Sequence, residues 1–96
     1  MPKGYWIAQI DVTDPEPFKD YAAGATEAVK KHGGRYLARG GKAQALEGPA
    51  RARNVIIEFP NFQAAVDCFN SPEYQAAKAH RDGHCTAQFL VVEGLE

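Results

Sequence analysis

The sequence predicts an α+β fold in which the elements follow the order βαββαβ and the strands form one antiparallel four-stranded sheet. Two observations carry this prediction. Short segments rich in aromatic and β-branched residues alternate with longer segments whose apolar residues recur at helical spacing. The two halves of the chain also repeat one pattern of strand, break, helix cap and early Phe, as IDVTDPEPF and as IEFPNF. That repeat is typical of the ferredoxin-like fold.

Size and composition limit the class of protein. The 96 residues fit a single domain, predicted over residues 1–96, and the net charge of −1 lacks the basic excess of nucleic-acid-binding proteins. No apolar run approaches the roughly 18–20 residues of a membrane span, and the N-terminus does not have the pattern of a signal peptide. Cys68 and Cys85 are too few for a disulfide framework. We expect a cytoplasmic protein with reduced thiols that binds neither nucleic acid nor membranes.

The first strand and first helix have clear signals. Residues 5–12, YWIAQIDV, are predicted to form a strand because aromatic and β-branched residues dominate them. Asp14 is then placed to cap a helix whose first turn holds Pro15. Apolar side chains recur at helical spacing from Phe18 to His32. Gly33 is placed to end the helix in the left-handed conformation.

The second and third strands are predicted to form a hairpin. The second strand starts as RYLAR at residues 35–39, bulges at Gly40-Gly41 and continues as KAQALE at residues 42–47. Gly48-Pro49 provides the turn signal, and the third strand, NVIIEF, covers residues 54–59.

The second helical segment is predicted in two pieces, followed by the last strand. Asn61 caps the first piece, and Ser71 caps the second with Pro72 in its first turn. The helix ends ahead of Gly83, and TAQFLVVE forms a strand over residues 86–93.

Continuous apolar runs in the strands predict a homodimer. The runs YWI, VII and FLVV do not alternate with polar residues, so both faces of the sheet require cover. Two helices cover only one face, and a second copy of the chain is the commonest cover for the other. The alternative is an exposed apolar patch on a monomer. We therefore predict a dimer in which two sheets close an α/β barrel.

The segments KGYWIAQIDVTDPEPFKDY, GGRYLARGG, LEGPARARNVIIEFPNFQAA and NSPEYQAAKAHR, with the closing VVEG, resemble the domain of unknown function 1330 family. That family belongs to the dimeric α/β-barrel superfamily. The resemblance implies the ferredoxin-like fold and the barrel dimer, but no particular reaction. Its superfamily includes small isomerases of ring-cleavage products, cofactor-free monooxygenases and haem-degrading enzymes. The resemblance further implies a pocket between the sheet and the helices of each subunit.

Arg39 and Glu58 are charged residues within otherwise apolar strands. If the hairpin turns at Gly48-Pro49, they are nearly equidistant from the turn and face each other across the sheet. An arginine beside a carboxylate can anchor an acidic substrate and supply a general acid or base, so both are candidate catalytic residues. The alternatives are a structural ion pair at the sheet edge, or a bulge at Gly40-Gly41 that separates the two.

The segment HRDGHC brings together His80, Asp82, His84 and Cys85. A metal-binding His-x₃-His pair needs one continuous helical turn, and Gly83 interrupts it. We therefore predict neither a metal nor a cofactor, and assign these residues to a helix C-terminus and its loop. His80 is kept as a third candidate catalytic residue.

Trp6, Tyr21 and Tyr74 are candidate ligand-binding residues that could line an aromatic pocket, and Ser71 is added to them. Core packing and helix capping are their alternative roles. With the resemblance, these residues predict a cofactor-free enzyme, isomerase or monooxygenase-like, that acts on a small organic acid or aromatic compound in a cleft between sheet and helices. A non-catalytic binding module or a structural dimer is the alternative.

Overall fold

Four strands and three helices follow one another in the predicted order in the computed structural model, which describes residues 2–95. The strands are β1 Gly4–Val12, β2 Arg35–Arg39, β3 Arg53–Phe59 and β4 Cys85–Glu93, and the helices are α1 Pro15–Lys31, α2 Phe62–Asn70 and α3 Pro72–Arg81. Within residues 2–95, no helix has both the length and the apolar character needed to cross a membrane.

The strands form one antiparallel sheet in the spatial order β2-β3-β1-β4. β1 lies between β3 and β4, so the two halves of the chain interleave in the sheet. The helices pack on one face of the sheet, where the core side chains of β1 and β3 are buried. This is the ferredoxin-like α+β fold, and the predicted fold class is confirmed.

The helix ends follow the local signals with one exception. Gly33 has a φ of 79° at the end of α1, as predicted. The Asn61 side chain accepts a hydrogen bond from the backbone of α2, and Ser71 does the same for α3. Asp14 occupies the N-cap position of α1 but makes no capping hydrogen bond. Its carboxylate lies 2.9 Å from Nδ1 of His84 instead, so the predicted Asp14 cap is wrong.

Alternate residues of the two central strands form the floor of the core. Trp6, Ala8 and Ile10 of β1 are each 2% exposed. The Trp6 ring centroid lies between 5.0 and 6.0 Å from those of four other aromatic residues, Phe59, Phe69, Tyr74 and Phe89. Its indole N–H donates to the backbone oxygen of Ala65 at 2.8 Å, which ties α2 to the sheet.

The hairpin between β2 and β3 differs from its prediction. Residues 42–47 are not a strand but part of an exposed loop that spans residues 40–52. The irregularity in the pairing of β2 with β3 lies between Tyr36 and Ala38, not at Gly40-Gly41. Gly40, the first residue after β2, has a φ of 67°. The loop is longer than the predicted turn at Gly48-Pro49. The turn signal therefore does not predict the observed register between β2 and β3.

The sheet face opposite the helices carries apolar side chains that none of the helices in the described part of the chain covers. We call this surface the open face and define it by Tyr5, Ile7, Ile56, Leu90 and Val92. Ile7 lies between Ile56 on β3 and Leu90 on β4. Leu90 is 55% exposed, Val92 42% and Ile56 36%. The chain is correspondingly flat, with a smallest principal extent of 17 Å for its Cα atoms.

Candidate functional site

A cleft opens between the helix-covered face of the sheet and α1. Side chains of β1 and β3 form its floor, among them Trp6 and Ile10, and α1 covers it with Phe18, Tyr21 and Ala25. The cleft measures about 370 Å³ with its solvent-open mouth included, but only about 20 Å³ of it is free for the centre of a water molecule. A ligand larger than about one water therefore needs side chains at the cleft to move.

Arg39 supplies one of the two cationic groups that line the cleft. Its guanidinium lies 4.1 Å from the centroid of the Tyr36 ring, which is a cation–π distance. Nη2 donates to the Thr26 hydroxyl on α1 at 2.6 Å, so this side chain bridges the edge strand β2 and the helix. The Arg39 residue as a whole is exposed to solvent at the cleft mouth.

Arg53 supplies the second cationic group. Its guanidinium lies 5.4 Å from the centroid of the Phe18 ring, and its Nε is buried without a hydrogen-bond partner. Nη1 packs against the backbone of Gly40, where an added Cβ would lie only 2.5 Å from it. Within residues 2–95, neither Arg39 nor Arg53 lies within 4.0 Å of a carboxylate oxygen, whereas Arg35 and Arg51 both form ion pairs. Among the described residues, the cleft therefore presents two positive charges that no acidic side chain neutralises.

A buried polar cluster lies behind the cleft wall. The Tyr21 and Tyr74 hydroxyl oxygens are 2.8 Å apart, and Nη2 of Arg81 donates to the Tyr74 oxygen at 3.4 Å. The pKa values of Tyr21 and Tyr74 are both raised, mainly because the two phenols are buried. Both phenols therefore stay protonated at neutral pH. Burial acts to lower the pKa of Arg81, but the interactions with the two tyrosines outweigh it and the guanidinium stays charged.

The predicted pairing of Arg39 with Glu58 is wrong. Arg39 pairs with Val55, whose side chain points to the helices, whereas Glu58 pairs with Arg35 and Tyr5. Arg39 and Glu58 therefore lie on opposite faces of the sheet. The Arg35 Nε and the Tyr5 hydroxyl both donate to the Glu58 carboxylate at 3.0 Å. The hydrogen bond from Arg35 is the largest cause that lowers the pKa of Glu58, so this carboxylate is ionised. It lies outside the cleft.

The remaining predicted residues fall in different places. Trp6 and Tyr21 line the cleft, and Tyr74 is completely buried beside Tyr21. Ser71 is buried and its hydroxyl caps α3. His80 is exposed on α3 and does not line the cleft. No group of three or more metal-ligating side chains occurs in residues 2–95.

Arg53 and Arg81 were not singled out by the sequence interpretation. Arg53 stands two residues before Val55, so in an extended strand it shares the helix-covered face. Arg81 follows Tyr74 by seven residues, which places both on one face of a helix. These spacings were the available signals. They were obscured because the predicted third strand begins at residue 54, after Arg53, and because Arg81 falls at the predicted end of the helix.

The two thiols differ in environment, which gives a first testable prediction. Burial raises the pKa of the Cys68 thiol to about 12, whereas Cys85 is partly exposed. At about pH 8 we expect Ellman's reagent to modify Cys85 alone in the native protein and both thiols in urea, because only the thiolate reacts. Cys85→Ser should abolish the native reaction and Cys68→Ser should leave it unchanged. Modification of Cys68 in the native protein would contradict its burial.

Comparisons with known proteins agree with this fold. The family described as "Domain of unknown function (DUF1330)" matches residues 3–95. No functionally curated protein matches the sequence. A protein of unknown function from Rhodopseudomonas palustris has a similar structure, with a TM-score of 0.79 at 17% identity, covering 99% of this chain and 84% of that one.

Two further solved structures are similar to this chain. SnoaB, a cofactor-independent oxygenase from Streptomyces nogalater, has a TM-score of 0.66 at 10% identity, covering 100% of this chain and 96% of that one. A dimeric protein of unknown function with a ferredoxin-like fold, from Bacteroides fragilis, has a TM-score of 0.52 at 14% identity, with 95% of each chain covered. At these identities the likeness concerns the fold.

Proposed function

The chain belongs to the DUF1330 family, and we propose that it binds a small organic acid with a flat apolar body in the cleft between the sheet and α1. The observation that carries this proposal is the pair of guanidiniums, Arg39 and Arg53, which lie beside aromatic rings and have no acidic partner within residues 2–95. A guanidinium presents parallel N–H donors that match the two oxygens of a carboxylate. The apolar floor and the rings of Phe18 and Tyr21 suit the body of such a ligand.

The chemistry of the cleft lining favours binding and charge stabilisation over proton transfer. Among residues 2–95, the groups that line the cleft include guanidiniums and phenols but no carboxylate or imidazole. Positive charge held at fixed positions stabilises an anion, whether it is the bound carboxylate or an anionic form of the ligand that arises during a reaction. The acid therefore binds as its anion, between Arg39 and Arg53.

A cofactor-free enzyme is the second candidate function, and the likeness in fold to a cofactor-independent oxygenase supports it. Without a cofactor, the electrons that reduce molecular oxygen must come from the substrate itself, and the anionic form of a substrate gives up electrons more readily than the neutral form. The two guanidiniums would stabilise that substrate anion. Oxygen consumption in the presence of a candidate acid separates this function from binding alone. An isomerase that shifts a proton within its substrate would consume no oxygen. Its product would have a different absorption spectrum from the substrate.

Benzoate binding tests the proposed function, and Trp6 is its reporter because it lines the cleft and is the only tryptophan in the chain. We expect benzoate to change the Trp6 fluorescence and the neutral analogue benzamide to bind more weakly. Arg39→Met should weaken benzoate binding about 10- to 100-fold, equivalent to about 1.5–3 kcal/mol for a hydrogen bond to a charged group.

Arg35→Met is the matched control for this substitution. It removes the same charge from the same strand, but on the side of the sheet that faces Glu58. Binding should be nearly unchanged in this variant. Equal losses in the two variants would show only long-range attraction, and benzoate and benzamide binding alike would contradict a carboxylate site.

A homodimer is the second part of the proposal. The apolar residues of the open face lie side by side across three strands, and no other part of residues 2–95 covers them. A second copy packed on this face by two-fold symmetry would bury both patches and close a barrel of two sheets. The described dimer of similar fold from Bacteroides fragilis supports this assembly.

A further inference from the structure

Arg81 is the most unusual charged group of the described chain. It is 7% exposed, and its Nε is buried without a hydrogen-bond partner. Its guanidinium lies 5.1 Å from the Tyr21 ring centroid and 4.7 Å from that of Phe89, both of which line the cleft. Within residues 2–95 it forms no ion pair. Burial of an unpaired charge is unfavourable, and an apolar side chain of similar volume would pack there without that cost.

The hydrogen bonds of this cluster have a direction. A guanidinium can only donate, so the Tyr74 oxygen accepts from Arg81. The adjacent positive charge makes the Tyr74 O–H a stronger donor, and among the described residues the one acceptor oxygen within its reach is that of Tyr21, at 2.8 Å. The arrangement favoured by the charge is therefore Arg81 donating to Tyr74 and Tyr74 donating to Tyr21.

This direction leaves one donor unused. Once the Tyr21 oxygen accepts from Tyr74, its own hydrogen is free to donate, and no other acceptor for it occurs in the described part of the chain. Tyr21 lines the cleft, whereas Tyr74 and Arg81 do not. Tyr21 is therefore the residue of this cluster that a ligand in the cleft would contact.

We infer that Tyr21 donates a hydrogen bond to an oxygen atom of the bound acid, and that Arg81, acting through Tyr74, is the positioning residue that sets this direction. The inference rests on the proposed function and narrows its substrate class. The ligand carries a further oxygen besides the carboxylate bound by Arg39 and Arg53. This oxygen belongs to a hydroxyl, enolate or carbonyl group. Hydroxy- or oxo-substituted aromatic acids have this pattern.

The probe 4-hydroxy-3-nitrobenzoate tests the inference because its phenol changes colour on ionisation. A donor at the phenolate oxygen stabilises the ionised form, so we expect the bound probe to ionise at a pH lower than the free probe. Tyr21→Phe should reverse this shift by about one pH unit, the size expected for one hydrogen bond to a charged group. Arg81→Met should reverse it partly, and Arg81→Lys, which keeps the charge, should restore part of the loss.

The outcomes separate the inference from the proposed function. If the probe binds through Arg39 but its ionisation is the same in wild type, Tyr21→Phe and Arg81→Met, the inference is wrong and the binding proposal stands. If Arg81→Met changes only the affinity for the probe and not its ionisation, Arg81 has only a structural role and the inferred positioning role is wrong. If the wild-type protein does not bind the probe, or binds it equally well after Arg39→Met, both proposals fail. Circular dichroism of each variant verifies that the fold is retained.

Discussion

Trp6→Ala should lower the free energy of unfolding by about 3–5 kcal/mol, the range found for removal of large buried aromatic side chains. Trp6 is 2% exposed and packs against four aromatic rings from β3, α2, α3 and β4. Its loss leaves a cavity where the sheet meets two helices. The Ala65 carbonyl oxygen also loses its indole donor. Urea denaturation followed by far-ultraviolet circular dichroism measures the change.

Two further variants keep this prediction informative if Trp6→Ala does not fold. Trp6→Phe retains a ring but removes the indole N–H, so a smaller loss is expected. Phe62→Ala is the control, because Phe62 is an aromatic residue of α2 that is 39% exposed. It should cost less than about 1 kcal/mol, since surface substitutions have small effects. Equal losses for Trp6→Phe and Phe62→Ala would contradict the central role of Trp6.

Ile7→Asp should convert the proposed dimer into a monomer. Ile7 lies at the centre of the open face, between Ile56 and Leu90. By two-fold symmetry each interface would contain two new carboxylates without cationic partners, and burial of such charges is strongly unfavourable. We expect the dissociation constant to rise by at least about 100-fold, or about 2.7 kcal/mol. Analytical ultracentrifugation over a concentration series measures it.

Ala23→Asp is the control for the dimer experiment. Ala23 is exposed on α1, on the opposite side of the sheet from Ile7, so the same new charge should leave the assembly unchanged. A wild-type protein that sediments as a monomer at all concentrations would overturn the homodimer. A dimer that survives Ile7→Asp would show that the copies meet elsewhere.

The sequence predicted the elements because their signals are local. Gly33, Asn61 and Ser71 each act on a few neighbouring backbone groups, and the structure confirms all three. Asp14 failed as a cap because a distant residue, His84, lies within reach of its carboxylate. Competition of that kind depends on how β4 returns to α1, and no local pattern contains it.

The cleft was only partly predictable for the same reason. Arg39 lies on a strand, as predicted, but its partner depended on the hairpin register, and the loop over residues 40–52 changed that register. A shift in register changes both the partner and the face on which it lies. Arg53 and Arg81 required knowledge of which face α1 covers. That is a property of packing between elements distant in sequence.

The loop over residues 40–52 starts directly after Arg39 and ends directly before Arg53, so the two cationic groups of the cleft flank it. Its residues are almost all exposed, and such surface loops tolerate insertions at small entropic cost. A fluorescent protein inserted within this loop would be joined to both arginines at once. An acid bound between the two arginines, as proposed, would contact both residues that flank the inserted chromophore, which makes the loop a suitable site for building a genetically encoded biosensor.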